Sequence, residues 1–300
     1  MKKFEGILVP LVTPLRESGD IDRDCLQKLI RHTLANGADV IMPVAGTGEG
    51  TSLSHKQRRD VVEITVDEVQ GKCPVVPGVI IPGLGDRIDA TLEYKKIGVD
   101  GVMLLTPYYS DFAEQDDLVD YFLHFLDVTE MPLMIENLPT RTNNNMLPET
   151  YFKLAKKTHL FNSVKECIMN TAQFSDAIYQ VGDRVSILSG LEGMFSTALV
   201  LGAKGGVLAA ANLFPQIFKK MLEAVHKKDV DTVNKIHYEL VRPLNAVLFA
   251  YPHPGPLRVA LKHIGIDTGP SVLPVKEPPE VFQKKIIEVV DETQDKLANV

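Results

Sequence analysis

The amino-acid sequence predicts an α/β protein, a (β/α)8 barrel followed by a helical C-terminal appendage, and two observations carry that expectation. Short, nearly continuous apolar runs recur, each followed by a Gly- or Pro-marked loop and an amphipathic stretch. Eight can be counted, at residues 6–12, 38–44, 74–79, 101–106, 132–136, 160–165, 185–189 and 205–210. Their lack of polar alternation is what a parallel sheet buried on both faces requires. The second observation is size: 300 residues with 45% apolar content are enough for one barrel-sized core. A doubly wound sheet is the competing architecture. It would carry Gly-x-Gly-x-x-Gly after its first strand, where this chain has Val12-Thr13-Pro14-Leu15.

Helical patterns separate the runs. Asp22 precedes apolar residues at helical spacing, Leu26, Leu29 and Ile30. Ser54-His55-Lys56-Gln57 reads as a capping box, and Pro148 stands in the first turn of another helix. The expected organisation is a single domain over residues 1–300. Its barrel would run from about residue 5 to about 225, and C-terminal helices from about 226 to the end. Pro252-His253-Pro254-Gly255-Pro256 interrupts those helices with an extended turn.

Composition narrows the function classes. A net charge of −7 without a long basic run argues against nucleic-acid or anionic-membrane partners. No apolar stretch approaches a transmembrane length, and the N-terminal segment, Met1-Lys2-Lys3-Phe4-Glu5-Gly6, shows no signal-peptide pattern. A soluble cytoplasmic protein is the expectation. Cys25, Cys73 and Cys167 form no Cys-x-x-Cys, and the eight histidines form no His-x-His or His-x-x-x-His. Neither a disulfide framework nor a metal or other cofactor is expected.

In a barrel, chemistry gathers at the C-terminal ends of the strands. After the second run comes Ala45-Gly46-Thr47-Gly48-Glu49-Gly50. Its three glycines let backbone amides approach a carboxylate or phosphate, or simply make a tight strand-helix turn. The fourth run ends in Thr106-Pro107-Tyr108-Tyr109, and two adjacent phenols at a strand end cannot both face the core. The fifth ends in Glu136-Asn137-Leu138-Pro139-Thr140-Arg141, with an arginine placed to clamp a carboxylate. The sixth ends in Ser163-Val164-Lys165-Glu166. A lysine there, in an apolar setting, can attack a ketone as a neutral amine and form a Schiff base. The seventh ends in Leu188-Ser189-Gly190, and the eighth carries Gly205-Gly206-Val207.

Taken in order, the Gly-Thr-Gly-Glu turn, Thr-Pro-Tyr-Tyr, Asn-x-Pro-x-Arg-Thr, Val-Lys-Glu, Leu-Ser-Gly and Gly-Pro-Leu-Arg-Val-Ala-Leu-Lys give the whole chain a resemblance. It resembles the dihydrodipicolinate synthase / N-acetylneuraminate lyase family of Schiff-base aldolases. The resemblance implies a cofactor-free lyase, usually a homotetramer, acting on pyruvate or another 2-keto acid. Lys165 would be the Schiff-base residue, Thr47 with Gly46 beside it would hold the keto-acid carboxylate, and Val207 and Gly190 would border it. Tyr109 would reach toward a neighbouring subunit's site, and Arg141 would meet the second substrate.

Two positions depart from the family pattern. Glu136 stands where a proton-shuttling tyrosine is usual, and Gly46 where a hydroxyl residue is usual. A buried carboxyl is a competent acid/base, so Glu136 is expected to take over proton transfer with help from Tyr109. Beside Lys165 it would also hold the lysine protonated and slow its first attack. A carboxyl acid suits dehydration of a 2-keto-3-deoxy sugar acid as well as aldol cleavage. 4-Hydroxy-tetrahydrodipicolinate synthase, a metal-dependent aldolase or hydratase, and a non-catalytic keto-acid-binding protein are the remaining alternatives.

Overall fold

The structure, a computed structural model, describes residues 3–109 and 114–298; Met1 and Lys2 of the N-terminal segment lie outside them. Seven parallel strands form one curled sheet: β1 (Gly6–Pro10), β2 (Val40–Met42), β3 (Val102–Leu105), β4 (Leu133–Asn137), β5 (Phe161–Glu166), β6 (Ser186–Ser189) and β7 (Gly205–Val207). They are ordered β2-β1-β7-β6-β5-β4-β3, so β2 and β3 are the two edges. The run at residues 74–79, expected as the third strand, lies between those edges. Its bridges pair Val75 with Ile41 and Gly78 with Met103, both parallel. The Ile41 amide donates to the Pro74 carbonyl and the Met103 amide to the Pro77 carbonyl. All eight expected staves are therefore present and the ring closes. The third is no regular strand because Pro74 and Pro77 have no N–H to donate.

Two apolar compartments follow from strand alternation. Inward-facing Leu8, Val40, Met42, Val76, Met103, Met134, Leu188 and Val207 cluster with Phe4 and Ala45 inside the barrel. Outward-facing residues such as Ile7, Val9, Ile41, Leu104, Ile135 and Val164 join the larger cluster beneath the helices. The interior is thus packed with side chains, as a barrel of eight staves requires.

The surrounding helices are α1 (Arg23–Ala35), α2 (His55–Val69), α3 (Leu84–Ile97), α4 (Gln115–Thr129), α5 (Pro139–Thr142), α6 (Pro148–Lys157), α7 (Thr171–Val181), α8 (Phe195–Leu201) and α9 (Pro215–His226). Asp22 caps α1 by accepting from the Cys25 amide, and Ser54 and Gln57 form the capping box that opens α2. The C-terminal part is α10 (Val230–Ile236), α11 (Arg242–Leu248), α12 (Gly255–His263) and α13 (Glu280–Leu297). A π-helical segment, His237–Val241, joins α10 to α11. Among the described residues no helix is long and apolar enough to cross a membrane.

Candidate active site

The register of two neighbouring strands creates the centre of the site. Alternation turns Met134 and Glu136 on β4, and Ser163 and Lys165 on β5, toward the barrel interior. The sheet pairs Glu136 directly with Lys165. Lys165 Nζ lies 2.5 Å from Glu136 Oε1, with the two side chains only 12% and 5% exposed. Burial pulls the lysine pKa down, but the Glu136 carboxylate, with smaller contributions from Cys167 and Glu192, outweighs it and holds the amine above the ordinary lysine range. The resting Lys165 is an ammonium ion locked to a carboxylate, which is the coupling the sequence led us to expect.

Three further groups crowd this pair. The Cys167 thiol lies 4.0 Å from Glu136 Oε1, and burial pushes its pKa up, so it stays a neutral thiol. Glu192, in a 3-10 turn after β6 (Glu192–Met194), is buried and accepts from the Ala210 amide at 3.1 Å; burial raises its pKa. Gly190 leaves room for the lysine stem: a Cβ there would strike Cys167 Sγ and stand 3.1 Å from Lys165 Cγ and Cε. Val207 is buried inside the barrel on β7.

The glycine turn after β2 is held by packing as much as by its own sequence. A Cβ on Gly48 would stand 2.7 Å from the Leu11 carbonyl oxygen, and one on Gly50 would collide with the Val44 carbonyl. Val44 and Glu49 both take left-handed backbone, at φ 51° and 54°, which is unusual for a β-branched residue. Glu49 pays back some of that strain. It is buried, pairs with Arg258 of α12 at 2.5 Å, and accepts from the Val272 amide at 2.8 Å. Arg258 in turn donates to the carbonyls of Thr268 and Thr13. The helical appendage therefore fixes the turn that presents Thr47. Gly46 differs from its neighbours, since a Cβ there would meet nothing within 4 Å.

Thr47 is buried, and its hydroxyl lies 3.1 Å from Nε2 of His253. The His253 ring stacks on Phe249 at 5.2 Å between centroids. Burial, and then the charges of Lys165, Arg141 and Arg258, press its pKa down to about 4, so the imidazole is neutral at ordinary pH. Arg141, on the short helix α5 behind Pro139, is exposed at the rim. The two tyrosines divide as their position demands. Tyr108 is partly buried, donates to the Ile80 carbonyl at 3.1 Å and lies under the Arg87 guanidinium, whereas Tyr109 is fully exposed on left-handed backbone.

Of the residues singled out by sequence, Glu136, Lys165 and Gly190 come together directly, with Val207 inside the same barrel. Thr47 and Gly46 form the turn, and Arg141 stands at the rim close enough to act on His253. Tyr109, expected among the catalytic groups, is not brought to Lys165 within one chain, because its ring is fully exposed. Sequence reasoning missed His253, Glu192 and Cys167. The proline-flanked His253 was visible only as an interruption between helices, and Glu192 carried no motif at all. Among the described residues, no group of three or more His, Cys, Asp or Glu side chains could hold a metal ion.

Comparison with known proteins gives the chain a family. The model of the Dihydrodipicolinate synthetase family matches residues 3–293. The 4-hydroxy-tetrahydrodipicolinate synthase of Thermodesulfovibrio yellowstonii is 33% identical over 287 residues, 96% of this chain and 97% of that protein. The enzyme of the same name from Methanospirillum hungatei is 32% identical over 290 residues, covering 96% and 98%. The crystal structure of dihydrodipicolinate synthase from Aquifex aeolicus superimposes with a TM-score of 0.92 at 30% identity, over 97% of this chain and 98% of that one. With a match along nearly its whole length, the chain belongs to the dihydrodipicolinate synthetase family, lyases of the Schiff-base aldolase type.

Proposed function

We propose that Lys165 forms an imine with pyruvate or a pyruvate-derived 2-keto acid, and that Glu136 carries the protons of the reaction. The 2.5 Å contact between Lys165 Nζ and Glu136 Oε1 is the observation that supports this reading. An ammonium ion cannot attack a ketone, so its proton must first leave, and Glu136 is the neighbour that can take it. The amine then adds to C2 of the keto acid, the carbonyl π pair moves onto oxygen, and a proton passes from the new ammonium nitrogen to that oxygen to give the carbinolamine hydroxyl. The Glu136 carboxylic acid protonates the resulting hydroxyl, which departs as water and leaves the imine. The carboxylate so regenerated accepts a C3 proton in forming the enamine.

In this reading Thr47 holds the carboxylate of the keto acid, Gly46 leaves space beside it, and Val207 and Gly190 border it. Arg141 selects the second carboxylate or the polar end of the partner. Tyr109 belongs to an assembled homotetramer in the cytoplasm, where its exposed phenol reaches a neighbouring copy's site. Two chemical outcomes share the imine. Aldol cleavage releases pyruvate, whereas loss of water from a 2-keto-3-deoxy sugar acid uses Glu136 as the acid for the departing hydroxyl; the carboxyl beside Lys165 favours keeping that second outcome in view. The activity named for the relatives, 4-hydroxy-tetrahydrodipicolinate synthase, would use the same imine with different proton carriers, since Glu136 and Gly46 replace two hydroxyl residues.

Borohydride reduction in the presence of pyruvate tests the core of the reading. The expected result is a stable adduct on Lys165, insensitive to chelators. Absence of an adduct with pyruvate and with every 2-keto-3-deoxy acid tried would overturn it.

A further inference from the structure

The turn that presents Thr47 is gripped from outside the barrel by a side chain that the imine chemistry does not use. The Glu49 amide donates to the Gly46 carbonyl at 3.0 Å, which closes Gly46-Thr47-Gly48-Glu49 into a β-turn with Thr47 and Gly48 at its apex. Arg258, on α12 and almost fully buried, holds this turn at two points. Its Nη2 donates to Glu49 Oε2 at 2.5 Å and to the Thr13 carbonyl at 2.9 Å. The Thr13 hydroxyl donates in turn to the Gly48 carbonyl at 2.7 Å. Arg258 Nη1 donates to the Thr268 carbonyl at 2.7 Å, and Glu49 Oε1 accepts from the Val272 amide at 2.8 Å. Both ends of the ion pair are therefore anchored in the segment between α12 and α13.

Such a turn needs outside support. Glu49 stands at φ 54°, a left-handed conformation that its Cβ disfavours, and Val44, just ahead of the turn, stands at 51°. Gly46 and Gly48, on either side of Thr47, give the backbone more freedom than other residues would. Backbone of this kind keeps its shape only where surrounding contacts over-determine it. The Arg258 fork supplies those contacts, because a planar guanidinium fixes direction as well as charge. A shift of Gly48 or Glu49 reaches Thr47 within two residues, whereas Lys165 and Glu136 are set by the register of β4 and β5.

We infer that Arg258 is a positioning residue for the carboxylate end of the keto acid: by fixing Glu49 and, through Thr13, Gly48, it sets the orientation in which Thr47 receives that carboxylate. The inference rests on the imine reading above and on Thr47 as the carboxylate holder. Its consequence is a split: affinity for a ketone that bears the carboxylate depends on Arg258, and the reactivity of Lys165 does not.

Borohydride adducts with pyruvate and with acetone, in which a methyl group replaces the carboxylate, separate the two. In Arg258→Met the pyruvate concentration giving half-maximal adduct is expected to rise at least about tenfold, while the acetone value stays within about twofold of native. Arg258→Lys, which keeps the charge and loses the fork, is expected to raise the pyruvate value at least about threefold and to leave acetone alone. Arg258→Lys decides the matter if Arg258→Met does not accumulate as folded protein, and the acetone adduct reports that the pocket around Lys165 is intact in each sample. Pyruvate and acetone values that rise together, or a pyruvate value that stays at the native level, would overturn the inference. The native chain and Thr47→Val are read alongside. Absence of a pyruvate adduct on the native chain brings down the imine reading, and native pyruvate affinity in Thr47→Val brings down the carboxylate-holder role. Adducts that depend on Thr47 and ignore Arg258 bring down the positioning role alone.

Discussion

The two faces of β4 and β5 set two buried carboxyl groups in contrast, one step apart in the register of the two strands. On the inner face Glu136 pairs with Lys165, and charge meets charge at 2.5 Å. On the outer face the same register pairs Asn137 with Glu166. There Glu166 accepts from Asn137 Nδ2 at 2.8 Å and from the Tyr151 hydroxyl at 2.9 Å, with no cation paired to it among the described residues. Burial raises the Glu166 pKa to about 8, so that carboxyl is sealed in as the neutral acid. Two glutamates on adjacent strands thus receive opposite assignments from their surroundings. The inner one can exchange a proton with its partner, whereas the outer one ties β4, β5 and α6 together.

The inner face is broken most completely by Lys165→Met. This change is expected to abolish the borohydride adduct and to lower turnover by about 10³-fold or more, read by adduct mass and pyruvate release. Glu136→Gln comes next, with turnover expected to fall about 10²- to 10⁴-fold. It also sharpens the contrast, because the amide removes the largest charge that opposes the burial of Lys165. The lysine pKa then falls, and the pH at which pyruvate adducts form moves downward by more than about one unit. An upward shift would show that Glu136 does not hold the ammonium.

The outer face is expected to appear in stability. Below pH 4.5 Glu166 is protonated in folded and unfolded chains alike; between 4.5 and about 8 only the unfolded chain releases the proton. The unfolded state therefore binds fewer protons, and stability falls as pH rises through that window, by at most about 1.4 kcal/mol per pH unit. Glu166→Gln mimics the neutral acid and is expected to flatten that slope in denaturant titrations. The smallest effect belongs to Gly46→Thr. Its Cβ enters open space, so stability is expected to stay within about 0.5 kcal/mol, measured as the urea midpoint.

This contrast also marks what the sequence could and could not convey. Lys165 and Glu136 were legible because a strand end and a period of two determine which residues face inward. Their direct apposition was not legible, since it depends on the register between β4 and β5. The glycine turn was legible as a turn, yet only the structure separates Gly48 and Gly50, which permit close packing, from Gly46, which does not need to be glycine for space. His253 was out of reach because it lies 206 positions from Thr47, on a turn with no period of its own. Tyr109 shows the opposite limit. One phenol had to leave the core, but where it goes is not decided within a single chain.

The proline-interrupted stave at residues 74–79 gives the ring a joint short of donors. A circle of parallel strands resists opening only as well as its sparsely bonded seams, and the one at this stave has lost two amide donors to proline. The amides of Val76 and Val79 are therefore where native-state hydrogen exchange should report breathing of the barrel at this joint. The joint adjoins β2 and β3, and Gly78 packs against the backbone of Ala45. Breathing there would loosen the loop that presents Thr47 while leaving the lysine and its carboxylate, on β4 and β5, in register. On the proposed reading, the protein would let the keto acid's anionic end come and go through a flexing cradle without disturbing the Lys165–Glu136 pair.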